Sequence, residues 1–377
     1  MSRVTQAFVW VLVLLIGVAP VSVEAMEFVP AGPRAAGMGG AGVAVTTDSL
    51  ATYWNPAGLA MSQSVDVRIQ GTIQGIDRGN MLGTLDDISN LDQSNLTNLT
   101  QAQNLANQLN QPGNSLSLMG AGGLYFKGHF GEHAIGFNIS DVATSGGFVS
   151  RPITATAGPG GQINFAGQIA LRGLEARQAA VSYAYAFADK RFAIGITGKV
   201  IQGAAYSQFA NVDGEDVKLI DDFGQAKITT QFGVDVGAVY RPSSWLRMAV
   251  VAKDLNQPGF TAPDGTKYEL NPQVRGGVAV NPWSTLTLTA DVDITANRTL
   301  VPGLKSQVLS LGAEQTILSE FLSLRVGTWK DMKDAQTPFT PTAGIGLRIY
   351  SFRLDVGGGY DFREQAALAS GSISMTF

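Results

Sequence analysis

The 377-residue chain has no cysteine and only two histidines. The first absence excludes disulfides, thiolate metal sites, a cysteine nucleophile and a lipid-anchored N-terminal Cys. The second leaves little for base catalysis. His129 and His133 flank one short turn, "KGHFGEH", with no Ser or Asp constellation around them, so no enzyme activity is expected. Charge is scarce as well. Asp, Glu, Lys and Arg make up 15% of the residues, against about 25% in ordinary globular chains. A net charge of −4 provides no basic field for nucleic acid. Long apolar runs are missing beyond the N-terminus, and the one there, Ala7 to Ala19, is too short to span a bilayer comfortably. It follows Arg3 and precedes "VEA", which ends at Ala25. That is the pattern of a cleaved secretory signal over residues 1–25.

What the chain does have is glycine, 45 residues of it, and alternation. In "SVDVRIQGTI", Val65, Val67, Ile69 and Ile73 share one face, with Asp66 and Arg68 on the other. In "LTLTADVDI", Leu286, Leu288, Ala290, Val292 and Ile294 oppose Asp291 and Asp293. About fourteen such segments follow one another between residues 64 and 377. Most are long enough to cross a bilayer as tilted strands and longer than a usual soluble strand. Short connections ("ADKR", "PSSW", "NPWS") alternate with long ones, the longest near 78–115, 144–168 and 208–225. Aromatic residues crowd the short-turn side: Phe126, Phe130, Phe187, Phe192, Trp245, Trp283, Phe321, Tyr350, Phe352 and Phe377. Rings of this kind suit the headgroup boundary.

Mid-strand charges fall opposite the bulky apolar face, as they must where a basic side chain facing lipid costs about 2–4 kcal/mol. Glu175 and Arg177 are out of phase, near the outer end of their strand. A soluble sandwich would alternate too, but needs neither such strand lengths nor alternating turn lengths. The pattern predicts an all-β fold, a transmembrane antiparallel barrel of about 14 strands. Within the first outer connection, Leu85, Ile88, Leu91, Leu96, Leu99, Leu105 and Leu109 recur at mostly helical spacing. One or two amphipathic helices are expected in an insertion over 79–113.

Gly37, Gly39 and Gly42 spell G-x-G-x-x-G, the form of a dinucleotide-binding turn. Such a turn needs a strand before it, a helix after it and a βαβ unit around it. Here Pro30 and Pro33 precede it and no βαβ unit follows, so no cofactor is expected. The glycines fit close backbone packing instead. The run "AAGMGGA" followed by "DSLATYWNPAGLA" resembles the start of the FadL-like outer-membrane superfamily. That group comprises the long-chain fatty-acid transporters, PorV-like secretion barrels and the barrel-type conjugal transfer TraF-like proteins. Stretches such as "VAKDLNQPGF" and "SGSISMTF", and the helical insertion, look closest to the TraF-like branch. The resemblance implies a barrel over 63–377 with residues 26–62 folded inside as a hatch. Gly37, Gly39, Gly40, Gly42, Trp54, Asn55, Pro56 and Ala57 would form that hatch.

A lumen of this size needs a plug if it is to be closed. Its wall would present Arg68, Lys199, Arg275, Arg325, Arg348 and Arg353 against Asp235, Asp291 and Asp293. These form either a ladder of wall-to-plug ion pairs or a set of arginines able to receive a carboxylate headgroup. Asp291 and Asp293 share a face but have no third metal ligand in phase. The acidic loop "NVDGEDVKLIDD" lacks EF-hand spacing. The chain is therefore expected in the outer membrane of a Gram-negative bacterium, exported through a cleaved signal peptide and surrounded by membrane lipid. There it would pass hydrophobic small molecules of the long-chain fatty-acid type. The alternative is a component of a conjugation or secretion apparatus with no transport of its own.

Overall fold

The computed structural model describes residues 26–213, 226–334, 338–362 and 365–377. The signal-type segment and most of the acidic loop lie outside them. The first strands are β1 (Asp66–Arg78), β2 (Ser115–Phe130), β3 (His133–Ala157), β4 (Ile163–Phe187) and β5 (Phe192–Asn211). Next come β6 (Lys227–Ser243), β7 (Leu246–Lys253), the short β8 (Gly259–Thr261) and β9 (Lys267–Glu269), and β10 (Gln273–Trp283). They are followed by β11 (Leu286–Asp293), the short β12 (Asn297–Arg298) and β13 (Lys305–Ser306), and β14 (Val308–Ile317). The chain ends with β15 (Leu322–Asp331), β16 (Thr340–Ile349), β17 (Phe352–Asp361) and β18 (Ala366–Thr376).

Leaving aside the hairpins β8–β9 and β12–β13, each strand pairs antiparallel with the next, and β1 pairs with β18 to close a 14-stranded barrel. The seam runs from Asp66↔Thr376 to Gly75↔Ala367. It is finished by two bonds between Val65 and Phe377, the Val65 N–H donating at 3.1 Å and the Phe377 N–H at 2.9 Å. Closure leaves no sheet edge, the condition for a sheet in lipid.

The outer wall carries exposed Ile69, Val181, Val200, Val326 and Ile373, while Arg68, Lys199, Arg275 and Arg325 are buried on the inner side. Trp245, Trp283, Tyr350, Phe352 and Phe377 are exposed at the short-turn rim. His133 belongs to this rim too, stacked on Phe130 at 5.7 Å and bonded through Nδ1 to the Tyr183 hydroxyl at 2.7 Å. Phe192 is the exception among the rim aromatics. It lies 4.7 Å from Phe187 in a buried patch with Ala238, Val250, Ala252 and Val274. The small residues on β6 and β7 let its larger neighbours cover it.

β3 and β4 are 25 residues each, so the connection expected over 144–168 is mostly strand. Pairing continues to Ala157↔Ile163, with register shifts between Val149 and Thr154. The reason is solvent. Above the bilayer the period-2 contrast with lipid ends, and "RPITATA" reads as loop although it belongs to the sheet.

Two helices, α3 (Met81–Ser89) and α4 (Leu99–Leu109), lie in the connection between β1 and β2. (Residues 33–37 and 51–54 form the short α1 and α2 inside the barrel.) Asp77 starts α3 by accepting the free N–H groups of Met81 at 2.7 Å and Leu82 at 3.1 Å. Asn110 pins the end of α4 to β3 through two bonds with Ile153, at 2.7 and 2.8 Å. Leu85, Ile88, Leu105 and Leu109 meet Ile153, Ile163, Phe165 and Ile169 in a core separate from that of the lumen. Leu109→Ala is expected to weaken this outer core by about 2–5 kcal/mol. The insertion should become protease-sensitive while the barrel keeps its heat-modifiable mobility on gels; an insertion as resistant as wild type would contradict the separation of the two cores.

Candidate functional site

Residues 26–62 fill the lumen. Pro33 opens α1 (Pro33–Gly37), where its missing N–H costs nothing. Trp54 ends α2 (Ala51–Trp54) fully buried. Its indole N–H donates to the Ala31 carbonyl at 2.8 Å, and the Tyr53 hydroxyl donates to that of Val29 at 2.7 Å. Phe28 packs on both rings, with centroids at 6.0 and 5.2 Å. Two wall cations sit over this cluster: Lys253 Nζ is 3.5 Å from the Tyr53 ring centre, and the Arg275 guanidinium is 4.1 Å from that of Phe28.

The glycine run lies where side chains cannot go. A Cβ on Gly42 would stand 2.3 Å from the Trp54 indole, and one on Gly37 would stand 3.0 Å from Gly344. Gly39 and Gly40 have φ of +68° and +86°. The N–H groups of Gly42 and Val43 both donate to one carboxylate oxygen of Asp291 at 2.7 Å. The run thus cradles an anion, but the anion belongs to the barrel wall. Asn55 turns its amide outward, donating at 3.3 Å to the carbonyls of Ala238 and Val250. Its side-chain oxygen accepts the Ala57 N–H at 3.1 Å, starting the 3₁₀ turn over Pro56–Met61. Gly195 and Gly237 make room on the wall for Pro56, Ala57 and Asn55.

Ion pairs ring this seat. Arg34 grips Glu314 through Nε and Nη2, the shortest contact 2.6 Å, and Arg325 Nε reaches the same carboxylate at 2.7 Å. Arg325 continues to Asp355 at 2.8 Å, which Arg353 also meets at 3.0 Å. Arg68 binds Asp48 of the plug at 2.8 Å. Asp66 accepts the N–H of Ser49 at 3.0 Å and also its hydroxyl. Lys127 donates to the Thr47 and Ser62 carbonyls at 2.7 and 2.9 Å. Lys199 lies between Asp235 and Asp254 at 2.9 and 2.8 Å, and Arg275 pairs with Asp293 at 2.6 Å.

Of the wall residues singled out from the sequence, Arg348 stands apart. It pairs with Glu320 at 2.6 Å near the short-turn rim, both side chains well exposed. Its place one residue from the strand end keeps it out of the lumen. The sequence pattern does not single out Arg34, Lys127 or Lys253, nor Asp48 as an ion-pair partner. Lys127 and Lys253 are in phase with the inner face of their strands, and that signal was open to reading. The partners of Arg34 and Asp48 depend on how an irregular segment folds.

Small cavities adjoin the plug. A cavity of about 40 Å³ lies on its outer side, among Glu27, Phe28, Ile76, Arg78, Met119 and Trp329. Desolvation pushes the Glu27 carboxyl up to about 7, against the pull of Arg78. Phe260 of β8 and Tyr268 of β9 pack into the same lumenal core from above. On the lipid side of the wall, an apolar groove of about 450 Å³ runs past Ile73, Leu118, Gly120, Ala143 and Gly173. Glu175 lies beside it, paired with Arg177 at 2.7 Å. Met119, 4% exposed, lines both spaces.

Asp291→Ala leaves two buried N–H groups without an acceptor and is expected to cost about 2–5 kcal/mol, read as a lower melting temperature by circular dichroism. Asp291→Asn, which keeps an oxygen there, should lose much less. Deleting residues 28–60 should give a barrel with large ion conductance in planar bilayers. Unchanged conductance would show that this segment is not the plug.

Several solved barrels share this architecture. The toluene transporter TbuX of Ralstonia pickettii is 14% identical, with a TM-score of 0.54 over 92% of this chain and 97% of that one. The Pseudomonas putida toluene transporter TodX is 10% identical, with a TM-score of 0.51 over 94% and 98%. The monoaromatic hydrocarbon channel CymD is 12% identical, with a TM-score of 0.51 over 93% and 98%. No curated protein matches the sequence. Residues 52–293 match the family described as "F plasmid transfer operon, TraF, protein". The chain belongs to that TraF family, and it folds as a closed 14-stranded antiparallel barrel.

Proposed function

We propose that the protein passes hydrophobic small molecules across the outer membrane of a Gram-negative bacterium, after export through a signal peptide cleaved behind Ala25. The observation that carries this reading is the position of Met119. Met119 of β2 lines both an apolar groove in the lipid-facing wall and the cavity above the plug, on a strand paired with β1 on one side and β3 on the other. Glycines at 120 and 173 keep the groove free of side chains. A molecule dissolved in the outer leaflet would lodge in this groove, and a local parting of the strand pairing beside Met119 would admit it to the lumen. The solved barrels of like fold named for toluene and monoaromatic hydrocarbons support the same class of cargo.

Long-chain fatty acids fall within that class, but their carboxylate needs a cation. Arg68, Arg275, Arg325, Arg353 and Lys199 are each held by an acid of the wall or plug. The hydrocarbon part of the reading is therefore better supported than the headgroup part.

A second reading rests on the family match. As a TraF protein, the chain would serve a conjugation or secretion apparatus, with its extended β3–β4 hairpin and helical insertion as the partner-facing elements. Two measurements separate the readings. Lipid extracts of the purified protein, examined by mass spectrometry, should contain a hydrophobic molecule. Cells carrying Met119→Trp, which puts a bulkier side chain where groove and cavity meet, should take up toluene several-fold more slowly than wild type. An empty extract together with unchanged uptake in a deletion strain would remove the passage reading and leave the apparatus.

A further inference from the structure

The short-turn rim holds cations that no acid among the described residues answers. Arg247, the second residue of β7, is in phase with the inner face, where Ala249 and Val251 are buried. Its Nη1 donates to the Ala44 carbonyl of the plug at 3.1 Å, and its Nε is buried without a partner. The charged groups that act on it, Arg34 and Arg241, are both cations. Arg34 is already held by Glu314 at 2.6 Å. Arg241 of β6 lies across the hairpin from Arg247, within the register shift between Tyr240↔Met248 and Ser243↔Leu246. Like charges directly opposite one another destabilise a strand pair. On its other side the Arg241 N–H donates to the Arg191 carbonyl at 2.7 Å, one step beyond the Phe192↔Tyr240 pair. Arg191, Arg241 and Arg247 thus stand at the ends of three neighbouring strands, whose backbones lie about 4.8 Å apart. Ser243 Oγ, in the same turn, is also buried and without a partner.

The other cations of this rim have work within the chain. Lys127 serves plug carbonyls, Arg348 meets Glu320 and Arg353 meets Asp355. On the two turns that carry Lys190, Arg191, Arg241 and Arg247, Asp189 is the one acid. In a chain of net charge −4, this gathers positive charge at one place. Lipid headgroups are poorly placed to neutralise it, because the lipid-facing positions beside Arg241 and Arg247 belong to Tyr240 and Met248. We propose that this corner of the periplasmic mouth docks an acidic segment of a periplasmic protein, its side-chain carboxylates received by Arg191, Arg241 and Arg247. The inference rests on the outer-membrane location, which turns the short turns to the periplasm, and goes beyond the passage reading. The planar fork of arginine matches a carboxylate in two hydrogen bonds. One carboxylate would leave two guanidinium groups unanswered, so the segment carries several acids. Charges at a rim act mainly on association rate and salt dependence, which suits a partner that comes and goes.

Fluorescence anisotropy of labelled octaglutamate and octaglutamine peptides, titrated with the full protein in non-ionic detergent micelles, tests this. Octaglutamate is expected to bind about tenfold or more tighter than octaglutamine. It should weaken several-fold as salt rises from about 0.01 to 0.1 M and the Debye length falls from about 30 to about 10 Å. The double variant Arg191→Gln/Arg241→Gln should lose about tenfold in octaglutamate affinity. Lys267→Gln, on the long-loop side of the barrel, should bind it as wild type does. The peptide pair on wild-type protein needs no variant, so the test survives misfolding of any substitution. Equal binding of the two peptides overturns the inference. Undiminished octaglutamate binding by the double variant overturns it by placing the site elsewhere. Displacement of labelled octaglutamate by tripolyphosphate at a lower concentration than by unlabelled octaglutamate overturns it in favour of a phosphate ligand. None of these outcomes bears on the passage reading, which the lipid extract and toluene uptake decide.

Discussion

The structure depends on one carboxylate. Asp291 projects from β11 into the lumen and accepts the N–H groups of two consecutive plug residues, Gly42 and Val43. Irregular backbone is tolerated at membrane depth only where protein satisfies its polar groups. The plug is mostly irregular, and α1, α2 and the 3₁₀ turn leave many of its amides without a helical partner. Wall side chains answer them one by one: Asp291 for Gly42 and Val43, Asp66 for Ser49, Thr342 for Gly39, and Lys127 for the carbonyls of Thr47 and Ser62. The polar lumen is therefore first a hydrogen-bonding surface for its own chain.

Glycine makes that surface reachable. Both partners give up side chains where they touch. Gly37 meets Gly344, Gly312 and Gly327 lie against Met38, and Gly195 and Gly237 receive the Asn55–Pro56–Ala57 corner. A methyl group at several of these positions would fall within about 2.5 Å of backbone or ring atoms. The same closeness brings Arg34 and Asp48 onto Glu314 and Arg68, so packing and ion pairing reinforce one another. Ion pairs sealed in this way hold the register of the plug; their geometry matters more than any net energy they contribute.

Much of this was legible in the sequence because the bilayer imposes a strong pattern. Lipid on one side and a polar lumen on the other force period-2 contrast, and the phase of Arg68, Asp235, Asp291 and Asp293 follows from it. Where lipid ends, so does the signal, and the outer halves of β3 and β4 read as loop. Arg348 shares the inner phase but lies too near a turn for phase to decide its place. The glycine run was legible as a packing device and is one, but that its consecutive N–H groups also take a carboxylate of β11 depends on the closed barrel. The cavity was beyond reach, because Glu27, Arg78, Met119 and Trp329 come from four separate segments that only the closed barrel brings together. No local pattern in any one of them points to the others.

The strength of the seat bears on whether the plug can move. Displacing the plug would separate Arg34 from Glu314, Arg68 from Asp48, and Asp291 from two amides. Each exposed buried charge costs about 3–5 kcal/mol when its partner is lost. Several must go together, since Arg325 and Asp355 tie the pairs into one network. The plug is therefore the fixed floor of the lumen, and the ion-pair network keeps that floor closed.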